Sequence, residues 1–275
     1  MHQPAALAAA IKTVLDKLTP RPRRCALVVP DLVAKVSLLR FEKIPPKLQD
    51  LDQLIRWQMR KAVPFKIEEA QVGWVPGIVP PDGGREFVVT AARRDIIESY
   101  ERACEAAGAQ AGIVDIASLN LINSVLAAPG AAPAGDASRA SGASGVTPTN
   151  DWLLVHVGPG YGTLAVVRGR ELIFFRNRST TADDDLADLV HQTTMYHEDR
   201  LGGGRLARVV LAGASSRGAE GAERLRRDLE ERIGGPVETL DFRAAAALRD
   251  RIAAGPGLID SLAPAVGVLL RERVA

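Results

Sequence analysis

Residues 152–175 read WLLVHVGPGYGTLAVVRGRELIFF, and the reading of this stretch decides the fold. Trp152–Val157 is a continuous apolar run, Gly158-Pro159-Gly160 breaks it, and Thr163–Val167 resumes it. Arg168-Gly169-Arg170 then turns the chain into Glu171–Phe175. Short unbroken apolar runs bounded by glycine turns are the pattern of buried strands. Asp183–Asp185 supplies a helix start, the stripe Leu186, Leu189, Val190 and Thr193 continues it, and Gly202-Gly203-Gly204 stops it. Three strands on tight turns followed by a helix predict a mixed α/β unit.

Working outward, Leu206–Leu211 reads as a buried strand ending in Ala212-Gly213-Ala214-Ser215. Glu223–Arg232 is a charged helix with Leu225 and Leu229 facing inward, and a last helix is expected over Ala265–Arg273. Upstream, the expected elements are a helix over Ala6–Leu18, a strand over Cys25–Val29 and a β-like stretch over Leu32–Phe41. Leu48, Leu51, Ile55, Met59 and Ala62 make an amphipathic helix. Strands over Ile67–Val79 and Glu86–Thr90 flank the Pro80-Pro81-Asp82-Gly83-Gly84 turn. A helix with the stripe Ile96, Ile97, Tyr100, Cys104 and Ala107, a strand near Ile113 and a helix over Leu119–Leu126 complete this half. Between the halves, residues 127–150 are built almost wholly of Ala, Gly, Ser and Pro, a composition that does not bury enough surface to offset its ordering entropy. The expected division is therefore a first lobe at 1–128 with a small inserted subdomain at about 32–92, a flexible linker at 129–150, and a second lobe at 151–275.

Composition narrows the function. The 275 residues carry 35 Lys+Arg against 33 Asp+Glu, so no bulk charge draws the chain onto nucleic acid or an anionic membrane. The apolar runs are too short to span a bilayer, and Lys12, Asp16 and Lys17 follow Ala5–Ala10 too closely for a signal peptide. A cytoplasmic protein is expected. Cys25 and Cys104 lack metal-ligand spacing and read as buried reduced thiols.

Two glycine turns are candidate sites. Gly158, Gly160 and Gly162 with Thr163 can cradle a phosphate on backbone N–H groups, or can form a plain hairpin whose glycines supply positive φ. Gly213, Ala214 and Ser215 at a strand end can sit beneath a nucleotide, or simply connect strand to helix. His156 reads as a satisfied, partly buried histidine, since no nucleophile motif accompanies it. His191 and His197, six positions apart, fall on different helix faces and read as solvated, so no metal site is expected. Arg205, Arg208, Arg224, Arg226 and Arg227 alternate with acids as a solvated face does. Trp57, Phe65 and Trp74 cluster in a chain with 4% aromatics, as core or as anchors of a peptide groove.

Taken in order, these pieces resemble the type IV pilus assembly protein PilM family, an actin-like group related to the cell-division protein FtsA. The resemblance is carried by Ala26-Leu27-Val28-Val29-Pro30, by Leu54–Met59 with Val63-Pro64-Phe65, by Leu153–Gly158, and by Leu262–Val268. The cytoplasmic domain of the type II secretion protein GspL is the nearest alternative. The resemblance implies a two-lobed, ribonuclease H-like ATPase fold, here beginning beyond the family's first phosphate-loop hairpin. It also implies departures at the nucleotide site. His156 stands where the family has an acidic residue, and an imidazole does not hold hydrated Mg²⁺ as a carboxylate does. Gly213-Ala214 stands where the family has paired glycines. The expectation is a non-enzymatic scaffold with no cofactor, ATP and Mg being doubtful. It would bind the N-terminal tail of a PilN-like inner-membrane protein beside the inserted subdomain, near Trp57, Phe65 and Trp74, and sit at the inner membrane through that partner. The rivals are an ATP-binding switch or ATPase of the actin, Hsp70 and sugar-kinase group, and a self-polymerising filament protein.

Overall fold

The computed structural model describes residues 4–128, 150–180, 183–246 and 254–274, in two units, Met1–Ala117 and Ser118–Ala275. Apart from Asn150, the linker expected at 129–150 lies outside the described residues.

The first unit opens with α1 (Pro4–Leu15), followed by β1 (Arg24–Val29). β2 (Ala34–Phe41), α2 (Leu48–Met59), β3 (Ala70–Pro76) and β4 (Arg85–Arg93) come next. α3 (Arg94–Ala106) and β5 (Gln110–Ile116) close it. β1 and β5 pair in parallel as a two-stranded sheet. β2, β4 and β3 form an antiparallel sheet with β4 in the centre. α2 exists because Leu51, Ile55 and Met59 recur every fourth residue, and all three are buried against Phe41, Val72, Phe87 and Val89 of that sheet. It ends at Met59, three residues before the expected Ala62, within reach of the Pro64 that forbids its continuation. Asp52 ties the helix down by accepting from Arg56 Nε (2.6 Å) and from Trp74 Nε1 on β3 (3.2 Å).

The second unit holds α4 (Ala117–Leu126), β6 (Asp151–Gly158), β7 (Tyr161–Arg168), β8 (Glu171–Ser179) and α5 (Asp183–Arg200). β9 (Arg208–Ala212), α6 (Gly218–Ile233), β10 (Glu238–Thr239) and α7 (Pro256–Val274) follow. Its sheet runs in the order β10-β9-β6-β7-β8, with β6 parallel to β9 and antiparallel to β7. β6 is buried along its whole length, as a central strand covered on both faces must be. α4 falls in this unit and not with the first lobe as the linker position suggested. It packs on α7, where Ser124 Oγ donates to the Ala263 carbonyl (2.9 Å), and a Cβ added at Gly267 would overlap the Asn120 carbonyl. α7 also begins nine residues earlier than the expected Ala265: Pro264 lies inside the helix, and Pro256 occupies its first position, where proline costs least.

Candidate functional site

Strand pairing brings the two glycine turns together. His156 on β6 lies opposite Thr163 on β7 and opposite Ala212 at the end of β9, so the β6–β7 hairpin and Gly213 meet at one end of the sheet. Gly213 has φ +79°, and a Cβ there would run into the Val157 carbonyl and stand 3.0 Å from His156 Cδ2. His156 is buried, hydrogen-bonded through Nδ1 to Ser118 Oγ (2.8 Å), and packed edge-on to Tyr161.

The hairpin glycines are used within the protein. Pro159-Gly160 is the two-residue turn, with Gly160 at φ +74°, the proline–glycine order that a type II turn favours. Gly158 lies where the Tyr161 ring leaves no room for a Cβ. Gly162 lets Leu186 of α5 approach, since a Cβ would come within 2.7 Å of its Cδ1. Thr163 and Ala214 are buried, and Ser215 is half-buried. In the second turn the Gly213 and Ser215 N–H groups donate to Asp260 Oδ1 and Oδ2 at 2.5 and 2.9 Å. Asp260 is itself buried on α7. A phosphate at these amides would have to displace a carboxylate of its own charge sign, so the residues as arranged do not fit a nucleotide phosphate there. Sequence reasoning missed Asp260 because the last helix was begun at Ala265. The signal was available: Asp260, Ala263, Gly267 and Leu270 share one helical stripe, and all four are buried.

At the other end of β6, Asp151 is wholly buried. It accepts from Arg168 Nε (2.9 Å) and Nη2 (2.7 Å) and from His197 Nε2 (2.7 Å). Burial pushes its pKa up, but the bonds from Arg168 and His197 and their charges outweigh that and hold it below the ordinary carboxylate value. His197 is therefore buried, contrary to the solvated reading. Its register on α5 is that of Leu186, Val190 and Thr193, all on the core face. His191 is exposed as expected. On α6, Glu223 is bridged by Arg226 and Arg227, and Arg226 also reaches Glu230 (2.6 Å), as a solvated charged face arranges itself.

Of the three aromatic candidates, Phe65 and Trp74 pack against the core of the antiparallel sheet, with Trp74 edge-on to Phe87 at 5.6 Å. Trp57 is 58% exposed, with Lys61 Nζ 5.9 Å from its ring centre. None of the three lines the cavity of about 430 Å³ in the first unit. That cavity is walled by Gln71–Gly73 of β3, Thr90 and Ala92 of β4, Ile97, Glu98 and Glu101 of α3, and Ala111–Ile116 of β5. Nothing in the sequence points to it, because its walls are drawn from elements scattered between Val29 and Ile116.

The family model described as type IV pilus assembly protein PilM matches residues 1–199. The chain belongs to this family. Among solved structures, a PilM–PilN type IV pilus biogenesis complex has the same fold at a TM-score of 0.78 and 18% identity, covering 98% of this chain and 86% of that one. A Bacteroides thetaiotaomicron protein with an actin-like ATPase fold and unknown function matches at 0.46 and 10% identity, over 85% and 76%. The cytoplasmic domain of EpsL, an inner-membrane component of the type II secretion system of Vibrio cholerae, matches at 0.45 and 12% identity, over 76% and 66%. Comparison with curated proteins gives no match. The fold is thus the expected mixed α/β one, shared with the PilM–PilN complex structure. Among the described residues no helix is long and apolar enough to cross a membrane.

Proposed function

We propose that this protein is a non-enzymatic scaffold of the type IV pilus inner-membrane platform, and that the first-unit cavity captures the N-terminal tail of a PilN-like membrane protein. The carrying observation is the cavity itself. Among the described residues β5 has one neighbour in its sheet, β1, and its residues 111–116 form one wall. An extended peptide laid along this strand pairs with backbone N–H and C=O groups of residues 111–114, while Ile97 and Ile113 offer apolar contact. The named PilM–PilN complex supports the choice of partner. Because Trp57, Phe65 and Trp74 stand outside the cavity, the capture surface is reassigned from them to its walls.

Titration of a labelled PilN-like tail peptide into the full chain tests this reading. Ile97→Glu with Ile113→Glu is expected to weaken binding at least about tenfold, the effect of losing more than about 1.4 kcal/mol, with an unchanged unfolding midpoint. Unchanged affinity would overturn the placement.

The convergence of both glycine turns on His156 favours one second reading, a nucleotide-binding switch. Thermal unfolding with and without millimolar Mg·ATP separates the two. Ligand at about a hundredfold over Kd stabilises by about 2.7 kcal/mol. The scaffold reading expects no shift, and a clear rise would favour the switch.

A further inference from the structure

The first unit holds a pair of sulfurs outside the tail cavity. Cys25 on β1 and Cys104 on α3 are 79 positions apart in the chain, yet their Sγ atoms stand 3.4 Å apart. They are the chain's two cysteines, and both are free thiols. We propose that they form a site of reversible two-electron oxidation, closing to a disulfide inside this unit when the chain meets a hydroperoxide.

Three observations carry the assignment. The first is distance: a bond needs the sulfurs to close by only about 1.4 Å, from their present contact to about 2.0 Å, and no other thiol in the chain competes. The second is the division of exposure. Cys104 is fully buried, whereas Cys25 is half-buried and also lies 3.6 Å from the Gln110 carbonyl at the rim of the strand pair. The oxidant can therefore reach Cys25 and not Cys104. Burial and the contact with Cys25 push the Cys104 thiol up to about 12, so it is held protonated as the waiting partner and not as the first nucleophile. The third is the setting. Cys25 packs against Leu15, Ala107 and Ala109, a small apolar cluster, and Cys104 is fully buried, so neither sulfur is free to swing away.

The chemistry balances with the hydroperoxide alone. The Cys25 thiolate attacks the terminal peroxide oxygen, a sulfur–oxygen bond forms, the O–O bond breaks, and the leaving oxyanion, hydroxide from hydrogen peroxide, takes up the proton that Cys25 released. Cys104 then gives up its proton and attacks the Cys25 sulfur, a sulfur–sulfur bond forms, and the sulfur–oxygen bond breaks to release a second hydroxide, which takes that proton. Two thiols are oxidised by two electrons and one hydroperoxide is reduced.

The test treats the purified full chain with hydrogen peroxide, blocks residual thiols with iodoacetamide, and maps tryptic peptides without reductant. The expected result is a Cys25–Cys104 linked peptide from monomeric protein, lost on dithiothreitol treatment, together with a rise in unfolding midpoint, since the link shortens the unfolded chain. In Cys104→Ser the link is absent and dimedone labels Cys25. Recovery of both thiols as alkylated residues in peroxide-treated native protein would overturn the proposal, as would linkage found only between chains. The peptide map on the unaltered chain decides the matter even if Cys104→Ser does not fold.

Discussion

Asp151 begins the central strand of the second unit as a buried carboxylate held by Arg168 and His197. Removing its charge leaves Arg168 and His197 facing an amide. Asp151→Asn is expected to cost about 3–5 kcal/mol, the usual result of breaking a buried pair, as read by urea unfolding at neutral pH. Its pKa is lowered in the folded chain, so the stability it contributes is present above the unfolded value of about 3.9 and is lost as pH falls through the folded one. The stability of Asp151→Asn should accordingly fall less steeply than that of the unaltered chain below about pH 4. Asp260 poses a related case. Asp260→Ala strips the acceptor from the Gly213 and Ser215 amides and should cost about 1–3 kcal/mol, measured the same way. Neither residue's role was readable from its surroundings in the chain. Asp151 stands just before the apolar run that begins at Trp152, and its partner His197 lies 46 positions on. What the sequence does carry is the helical register that buries His197 and Asp260, because a polar residue in phase with an apolar stripe shares its burial.

Whole elements were more legible than residues. The three-strand run at the start of the second unit is seen where the apolar pattern places it, each strand lengthened by one to four residues at its ends, as at Asp151 and Ser179. Tight turns could be read because Gly160 and Gly169 take positive φ, a job their neighbours do badly. β10 was missed, since two residues carry no periodicity. So was the first half of α7, because a proline at Pro264 weighs against a helix locally while packing against α4 repays it. That packing sets a contrast between two glycines. Gly267→Ala must push α4 and α7 apart and should cost at least about 2 kcal/mol, toward the upper part of the overpacking range. Gly160→Ala meets nothing within 4 Å and pays only for its left-handed backbone, about 1 kcal/mol. Paired thermal or urea denaturations of the two variants test that order, and an equal cost would show that the helix contact is softer than the geometry implies.

For the whole molecule, the parallel pairing of β1 with β5 sets the order in which the first unit assembles. Cys25 and Gln110 meet across 85 positions of chain, and between them lie the antiparallel insert with its helix α2, and then α3. The core of that insert is drawn from Phe41 to Ala91, with Leu39 packed against it. Contacts between near neighbours form before those that must first close a long loop. The insert therefore acts as a nucleus that gathers its own ends, and by folding it shortens the loop that β1 and β5 have still to close. Pulsed hydrogen exchange during refolding should find the β2, β3 and β4 amides protected before those of β1 and β5. The wall of the first-unit cavity contributed by β5 then becomes the last part of the unit to form and the first to open, so whatever docks there would meet a surface that matures late.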